Sequence, residues 1–495
     1  MPSFLTGAIF VRIIDQLKMK NILVPKTIRK LIIHLLSIFF LRIHINKKLI
    51  KLLDSSEHIT TLLTRLRLTV SFELANNNQV SNSLKIAQQI TIATSKIDVL
   101  YLLSSLYNLT GNHSTAEQLL EKIEERRTQI CLTHQYNFLN LRVFGDTFAA
   151  IGHTALIEIF IKAQILGMIE LKHNLICIDP RTVANFAWLR YWEAYCSVIT
   201  SPETINNLKS ILGFFDERLS VIKLTDGRVL PLCEFGREVQ LIWEQTDRPS
   251  LLKPWGNHLA EGYQYMQAQG MPKDAWFCGL HVRDTKDSMR DVRNADIDTY
   301  GLAIQEIGRR GGWVVRIGDA KMRPLSVKYP NLIDYALSDH KEDWFDIFIL
   351  SEGRFLLGTG SGPAAIPISF GKPVIYSNWG PLRHRQWGKL DILLPKHYWN
   401  RSEGRYLNLT ERMSSKYGYM ESTAALSKLD IDVIDNTPEE LADVVKELLV
   451  INKQPQDNTN LKHHQHFYSE LCKESGVYPT TLSTTFIKNN SSFFQ

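Results

Sequence analysis

The chain has 495 residues, 44% of them apolar and 22% charged, with a formal net charge of +6. This length predicts two or three domains, the composition is that of a globular protein, and so small a net charge gives no support for nucleic-acid binding. None of the six cysteines lies in a C-x-x-C pair, which argues against a zinc ribbon or thioredoxin-type motif and suits a reducing compartment.

Residues 1–130 read as an α-helical N-terminal region. Between Arg12 and Lys51 there are ten Lys or Arg residues and one acid, Asp15. The apolar run Leu31–Leu41 is cut by Arg29 and Arg42, and a membrane span needs roughly 20 apolar residues. It is therefore either an ordinary helix or one lying on an anionic membrane surface. It also starts too late, and lacks the cleavage site, for a signal peptide. Tyr101 to Glu124 resembles one tetratricopeptide-type helix pair, which cannot bury its own faces. It either continues onto a neighbouring domain or docks a partner.

Residues 131–268 read as a first α/β lobe, with a helix over Thr154–Leu166 and a buried strand over Asn174–Ile178 stopped by Asp179-Pro180. Residues 269–452 read as a second. Strands are predicted at Trp276–Val282, Trp313–Ile317, Leu332–Tyr335, Arg354–Leu357 and Pro373–Tyr376, and helices at Asp296–Arg309, Asp343–Leu350 and Pro363–Phe370, with a closing helix over 438–451. This alternation predicts a parallel, doubly wound sheet. Residues 453–495 form a polar tail expected to be loosely ordered. The expected fold is α/β, with two Rossmann-like lobes after the helical region and a ligand cleft between them.

Two segments carry the chemistry. Cys278-Gly-Leu-His-Val-Arg-Asp284 predicts a strand whose carboxyl end bears His281 and Arg283. Arg354-Phe-Leu-Leu-Gly-Thr-Gly-Ser-Gly362 predicts a strand, a glycine turn and a helix start. Ligands bind at strand carboxyl ends in open α/β sheets, and free N–H groups after a glycine turn receive phosphate. Arg283 with Gly358, Thr359, Gly360, Ser361 and Gly362 therefore predicts a diphosphate site, the bidentate guanidinium neutralising a leaving diphosphate. The bland alternative for Arg283 is a surface pair with Asp284 or Asp287. His281 orients the arginine, donates to a phosphate, or is a satisfied core histidine; Asp287 holds Arg283 or meets the acceptor. Arg316 and Asp319 flank another strand end, Asp319 being either a ribose ligand or a turn former. Asp334–Asp339 is a candidate for reading the base, and Asp346 reads as a helix-face or loop-supporting residue. His153, opening a helix in the first lobe, is either a cleft base or a helix-start histidine without a role. No metal-ligand pattern stands out.

Together with Ala295–Tyr300, Gly311–Asp319, Ile333–Ala336 and Asp346–Glu352, these segments make Trp276–Asn378 resemble a bacterial glycosyltransferase family distantly related to fucosyltransferases, with weaker similarity at Ile151-Gly-His153. The resemblance implies a GT-B-type fold, a donor in the second lobe and an acceptor against the first, inverting transfer without a required metal or other cofactor, and Arg283 as the arginine of an H-x-R motif. Protein O-fucosyltransferases carry H-x-R-x-x-x-D, which His281, Arg283 and Asp287 satisfy; the α1,6 type has a second arginine where this chain has Asp284. The function expected is transfer from a nucleotide-sugar donor, GDP-fucose being the suggestion, to a glycan or polysaccharide acceptor. The expected location is the cytoplasm, free or on the inner membrane face. The competing reading is a helical scaffold with an inactive α/β lobe. A dinucleotide enzyme lacks its G-x-G-x-x-G signature.

Overall fold

The computed structural model describes residues 80–88, 100, 103–104, 106–108, 110–134, 138–145, 147–212, 221–286, 290–339, 341–384, 388–414, 416–451 and 459–494. The basic stretch 12–51, with its apolar run, lies outside them, as does Asp287. Among the described residues no helix is long and apolar enough to cross a membrane. The chain divides into two compact units, Met1–Arg126 and Arg127–Gln495.

In the first unit, helix Val80–Ala87 is followed by helical turns around 103–108 and by the start of helix His113–His134. Leu103, Leu106, Ala116, Leu119 and Ile123 are buried. Ser104 Oγ donates to the Ala116 carbonyl at 3.2 Å, tying the turns to the next helix. Gly111, at φ +80°, makes the intervening turn, a conformation glycine adopts without strain.

The second unit contains two parallel sheets. The smaller has β1 (Leu141–Val143), β2 (His173–Cys177) and β3 (Ser197–Ile199) in that order. A hairpin of β4 (Val221–Lys223) and β5 (Val229–Pro231) leads into helix Leu232–Gln245. That helix packs on Ala155–Ile165, where Phe235 and Phe160 meet at 5.3 Å between ring centroids.

The larger sheet begins at β6 (Trp276–His281), followed by β7 (Gly312–Arg316), β8 (Leu332–Asp334), β9 (Leu356–Gly358), β10 (Val374–Trp379) and β11 (Ile392–Pro395). β12 (His397–Asn400), β13 (Arg405–Tyr406) and β14 (Ile431–Ile434) form a separate antiparallel sheet, and β15 (Thr481–Leu482) rejoins the large one. The large sheet has seven strands in the order β15-β11-β10-β9-β6-β7-β8, all neighbours parallel. Its strands are near-continuous apolar runs because helices cover both faces. Gly279 lets helix Asp343–Glu352 approach β6: a Cβ there would stand 3.2 Å from Leu356 Cδ1 and 3.4 Å from Ile349 Cγ2.

The chain's end departs from expectation. The segment expected to be loosely ordered forms helix Thr459–Glu474, edge strand β15 and helix Thr484–Asn489. Tyr468, Cys472, Leu482 and Phe486 are buried, and Gln465 bonds both backbone groups of Leu482. The apolar positions are spaced among His, Asn and Thr, so composition concealed an amphipathic helix.

Candidate active site

Strand order sets the site. From β6 the chain moves outward to β7 and β8; from β9 it moves the other way to β10 and β11. Crossovers leave this pair in opposite directions, opening a crevice beyond the strands' carboxyl ends, the place where open α/β sheets take ligands. His281 and Gly358 end the two strands and are register partners.

The two segments are stitched together beyond that pair. Thr359 N donates to the His281 carbonyl at 3.1 Å, and Arg283 N donates to Thr359 Oγ1 at 2.9 Å. Gly358 must lack a side chain, since a Cβ would lie 2.8 Å from His281 O. Gly360 lies under Trp379, whose ring would be 2.9 Å from an added Cβ. Gly362 meets the first lobe: a Cβ on it would be 3.1 Å from Gly152 N, so the turn Ile151–Thr154 carrying His153 abuts the glycine loop. His153 is exposed on that turn.

The helix expected after the loop is a single 3-10 turn, Gly362–Ala364, and a five-residue helix, Ala365–Ser369. Pro363 and Pro367 lack the N–H groups a longer helix uses. Ser361 precedes the turn in extended backbone, and its hydroxyl makes no cap bond. The loop is therefore not followed by a helix long enough to present a macrodipole.

The Arg283 guanidinium is partly buried, with Nη2 donating to Thr285 Oγ1 at 3.2 Å. His281 is 5% exposed, and burial first, then the charges of Arg283, Arg316 and Lys341, lower its pKa to about 4. Burial thus favours its neutral form, and its Nδ1 is buried with no partner beyond its own residue. Lys341 Nζ donates to the Gly318 carbonyl and brings a further positive charge to this edge.

Two sequence candidates have other work. Arg316 is 1% exposed, and donates to Asp334 Oδ2 at 3.0 Å and to the Arg323 carbonyl at 2.7 Å. Its side chain is committed to tying β7 to β8, and Asp334 is taken by the same pair. Asp319 is exposed and accepts from Lys321 N at 2.8 Å, the turn-forming alternative. Asp346 is more unusual than its sequence reading: burial raises its pKa to about 6 against the pull of Lys341, and its Oδ1 has no hydrogen-bond partner.

Sequence reasoning did not single out Arg293, whose Cδ lies 3.5 Å from the Cβ position of Gly360. It also missed the network beneath the loop. Tyr300 Oη and Ser377 Oγ are 2.8 Å apart, Ser377 Oγ donates to the Gly358 carbonyl at 3.1 Å, and Asn378 and Asn436 exchange two bonds of 2.7 Å. Asn378 stands at φ +50°, a left-handed conformation that asparagine tolerates better than most residues. Among the described residues no group of three or more His, Cys, Asp or Glu could hold a metal ion.

No protein-family model matches the chain, and no curated protein matches it. Among solved structures it is similar to a glycosyl transferase family 9 protein from Veillonella parvula, at 12% identity over 63% of this chain and 97% of that one, with a TM-score of 0.38. It is also similar to the dodecameric iron-containing heptosyltransferase TibC in complex with ADP-D-beta-D-heptose, at 11% identity over 62% and 76%, with a TM-score of 0.35. The E. coli heptosyltransferase WaaC matches at 12% identity over 51% and 92%, with a TM-score of 0.28.

Proposed function

We propose that the Arg127–Gln495 unit is a glycosyltransferase that takes a nucleoside-diphosphate sugar at the carboxyl ends of β6 and β9 and passes the sugar to a glycan hydroxyl. The observation that carries this is the pairing of Arg283 with the Gly358–Gly362 loop across the sheet's switch point. Arg283 N donates to Thr359 Oγ1 and His281 is the register partner of Gly358, so an arginine and the glycine loop share one strand-end edge, where a guanidinium fork and loop N–H groups suit a diphosphate.

The acceptor oxygen attacks the anomeric carbon from the face opposite the diphosphate. The bond from that carbon to the diphosphate oxygen breaks, and its electron pair leaves with the nucleoside diphosphate, whose growing charge Arg283 and the loop N–H groups stabilise. The acceptor proton passes to a base, for which His153, on the turn touching the loop, is the candidate. The configuration inverts. The H-x-R resemblance makes a GDP-linked donor such as GDP-fucose the first to try, with a polysaccharide or other glycan as acceptor. The basic 12–51 stretch is suited to an anionic inner membrane face.

Calorimetric titration with GDP, UDP, CMP and ADP tests the reading on wild type and Arg283→Ala. One nucleotide should bind the wild type and bind the variant at least tenfold more weakly. A folded wild type that binds none of them overturns the proposal and favours a scaffold with an inactive lobe.

A further inference from the structure

Resting on that reading, we infer that Arg293 is a second diphosphate-binding arginine, presented to the loop by the small antiparallel subdomain and counterbalanced by Glu421 until the diphosphate arrives. A diphosphate leaving group carries more charge than one guanidinium neutralises, and the residue directly after Arg283 is an acid, Asp284. The compensating cation stands at the next residue along the same loop. Arg283 bonds Thr359 through its backbone, and Arg293 stands against the next residue, Gly360. The two arginines thus border neighbouring residues of the anion-binding turn.

The position of Arg293 is built. Residues 294 and 295 are tied back to 283 and 285, with Ala295 N donating to the Arg283 carbonyl at 3.1 Å and Asn294 Nδ2 donating to the Thr285 carbonyl at 2.7 Å. Beside Arg293, Val292 is fully buried in the subdomain's core with Tyr398, Leu407, Tyr417, Leu426 and Ile431. Val292 N donates to the Glu421 carbonyl at 3.0 Å, and Asp291 Oδ1 accepts from Thr423 N at 2.8 Å. The β12–β14 insertion therefore clamps the two residues that precede the arginine, which gives this insertion a task.

Glu421 completes the device. Its carboxylate faces Arg293 Nε at 3.1 Å, Arg290 Nε at 3.5 Å and His384 Nδ1 at 3.5 Å. One carboxylate among two guanidinium groups and an imidazole leaves positive charge in excess. A diphosphate is a stronger acceptor for a guanidinium fork than a shared carboxylate. Glu421 thus acts as a positioning counter-ion that holds Arg293 in place and competes with the ligand for it.

The test is calorimetry with whichever of GDP, UDP, CDP and ADP binds the wild type best, and with its monophosphate, alongside melting curves. Arg293→Ala should weaken the diphosphate about tenfold or more and the monophosphate far less, Arg293→Lys should recover part of the loss, and Glu421→Gln should tighten the diphosphate about threefold. A purely structural arginine–glutamate tie predicts the opposite sign for Glu421→Gln. A wild type that binds no nucleotide sinks the parent reading. Binding that Arg283→Ala weakens, while both Arg293 variants match wild type, overturns this inference alone. If Arg293→Ala does not fold, Arg293→Lys decides.

Discussion

Asp346 makes a quantitative demand on the structure. Its carboxyl lies on helix Asp343–Glu352 with Oδ1 unpartnered, and burial lifts its pKa from 3.8 to about 6. The folded state therefore holds this proton more tightly than the unfolded chain does. The stability contribution is complete below about pH 4 and is lost as the pH rises through 6. A shift of about two pKa units corresponds to about 3 kcal/mol withdrawn from the fold by pH 8. Asp346→Asn keeps the shape and removes the ionisation. It should raise stability by about 2–3 kcal/mol at pH 8, the advantage shrinking by about half at pH 5, where the wild-type carboxyl is mostly protonated. Urea unfolding of both proteins, followed by tryptophan fluorescence at pH 5, 6.5 and 8, measures the gap. A gap that stays constant with pH, or a wild type that is the more stable at pH 8, refutes the reasoning. The position gives the cost its interest: Lys341, which opposes the shift at Asp346, also depresses the pKa of His281 at the end of β6. A carboxylate that opposes folding beside the crevice is the kind of residue that sites retain.

Arg316→Ala should destabilise the fold by about 3 kcal/mol, since it leaves Asp334 and the Arg323 carbonyl without their partner, while nucleotide affinity of the folded fraction stays within about twofold; normal melting with lost affinity would return Arg316 to the donor site. Gly358→Ala forces a methyl to within 2.8 Å of His281 O, so a strand end must move, at about 1–3 kcal/mol and with loss of nucleotide binding; wild-type melting and affinity would show that the loop is not held as described. Truncation after Ile451 bares the β11 edge and the surfaces that cover Tyr468, Cys472 and Leu482, and should give aggregated protein by size-exclusion chromatography; a monomer melting like the full chain would mean the tail is dispensable.

Strands β6 to β10 of the large sheet were legible because buried parallel strands are apolar runs bounded by breakers, whereas β11 and the edge strand β15 were not. Trp276, Gly318-Asp319 and the glycine turn marked strand limits within a residue or two. The adjacency of His281 and Gly358 was not legible, because it depends on the chain crossing back from β8 past β7 and β6 to place β9, and period says nothing about strand order. Arg316 misled because a charged residue at a strand end looks the same whether it faces a ligand or an aspartate one strand away. Arg293 stayed hidden for a related reason. Nothing in Arg290-Asp-Val-Arg293 distinguishes it from a solvated loop until Val292 is seen buried and Glu421 arrives from far along the chain. The tail was missed because mean polarity outweighed its spacing.

The seam between the two α/β lobes decides whether they can swing apart. Glu158 and Lys162, their side chains 5% and 3% exposed, pair at 2.6 Å, and Ser369 from the second lobe donates to the same Glu158. Asn185 Nδ2 donates to the Asp343 carbonyl at 2.9 Å, and Phe186 N donates to the Asp343 carboxylate at 2.7 Å. Trp188, Tyr191 and Phe370 pack ring to ring across the join, with Trp255 stacked on Tyr191 at 4.3 Å. Swinging the lobes apart would wet these rings and strip a buried ion pair of its shared partner, a cost of several kcal/mol. Relative motion is the default for domains joined by small polar interfaces; this interface is apolar and locked by buried charge.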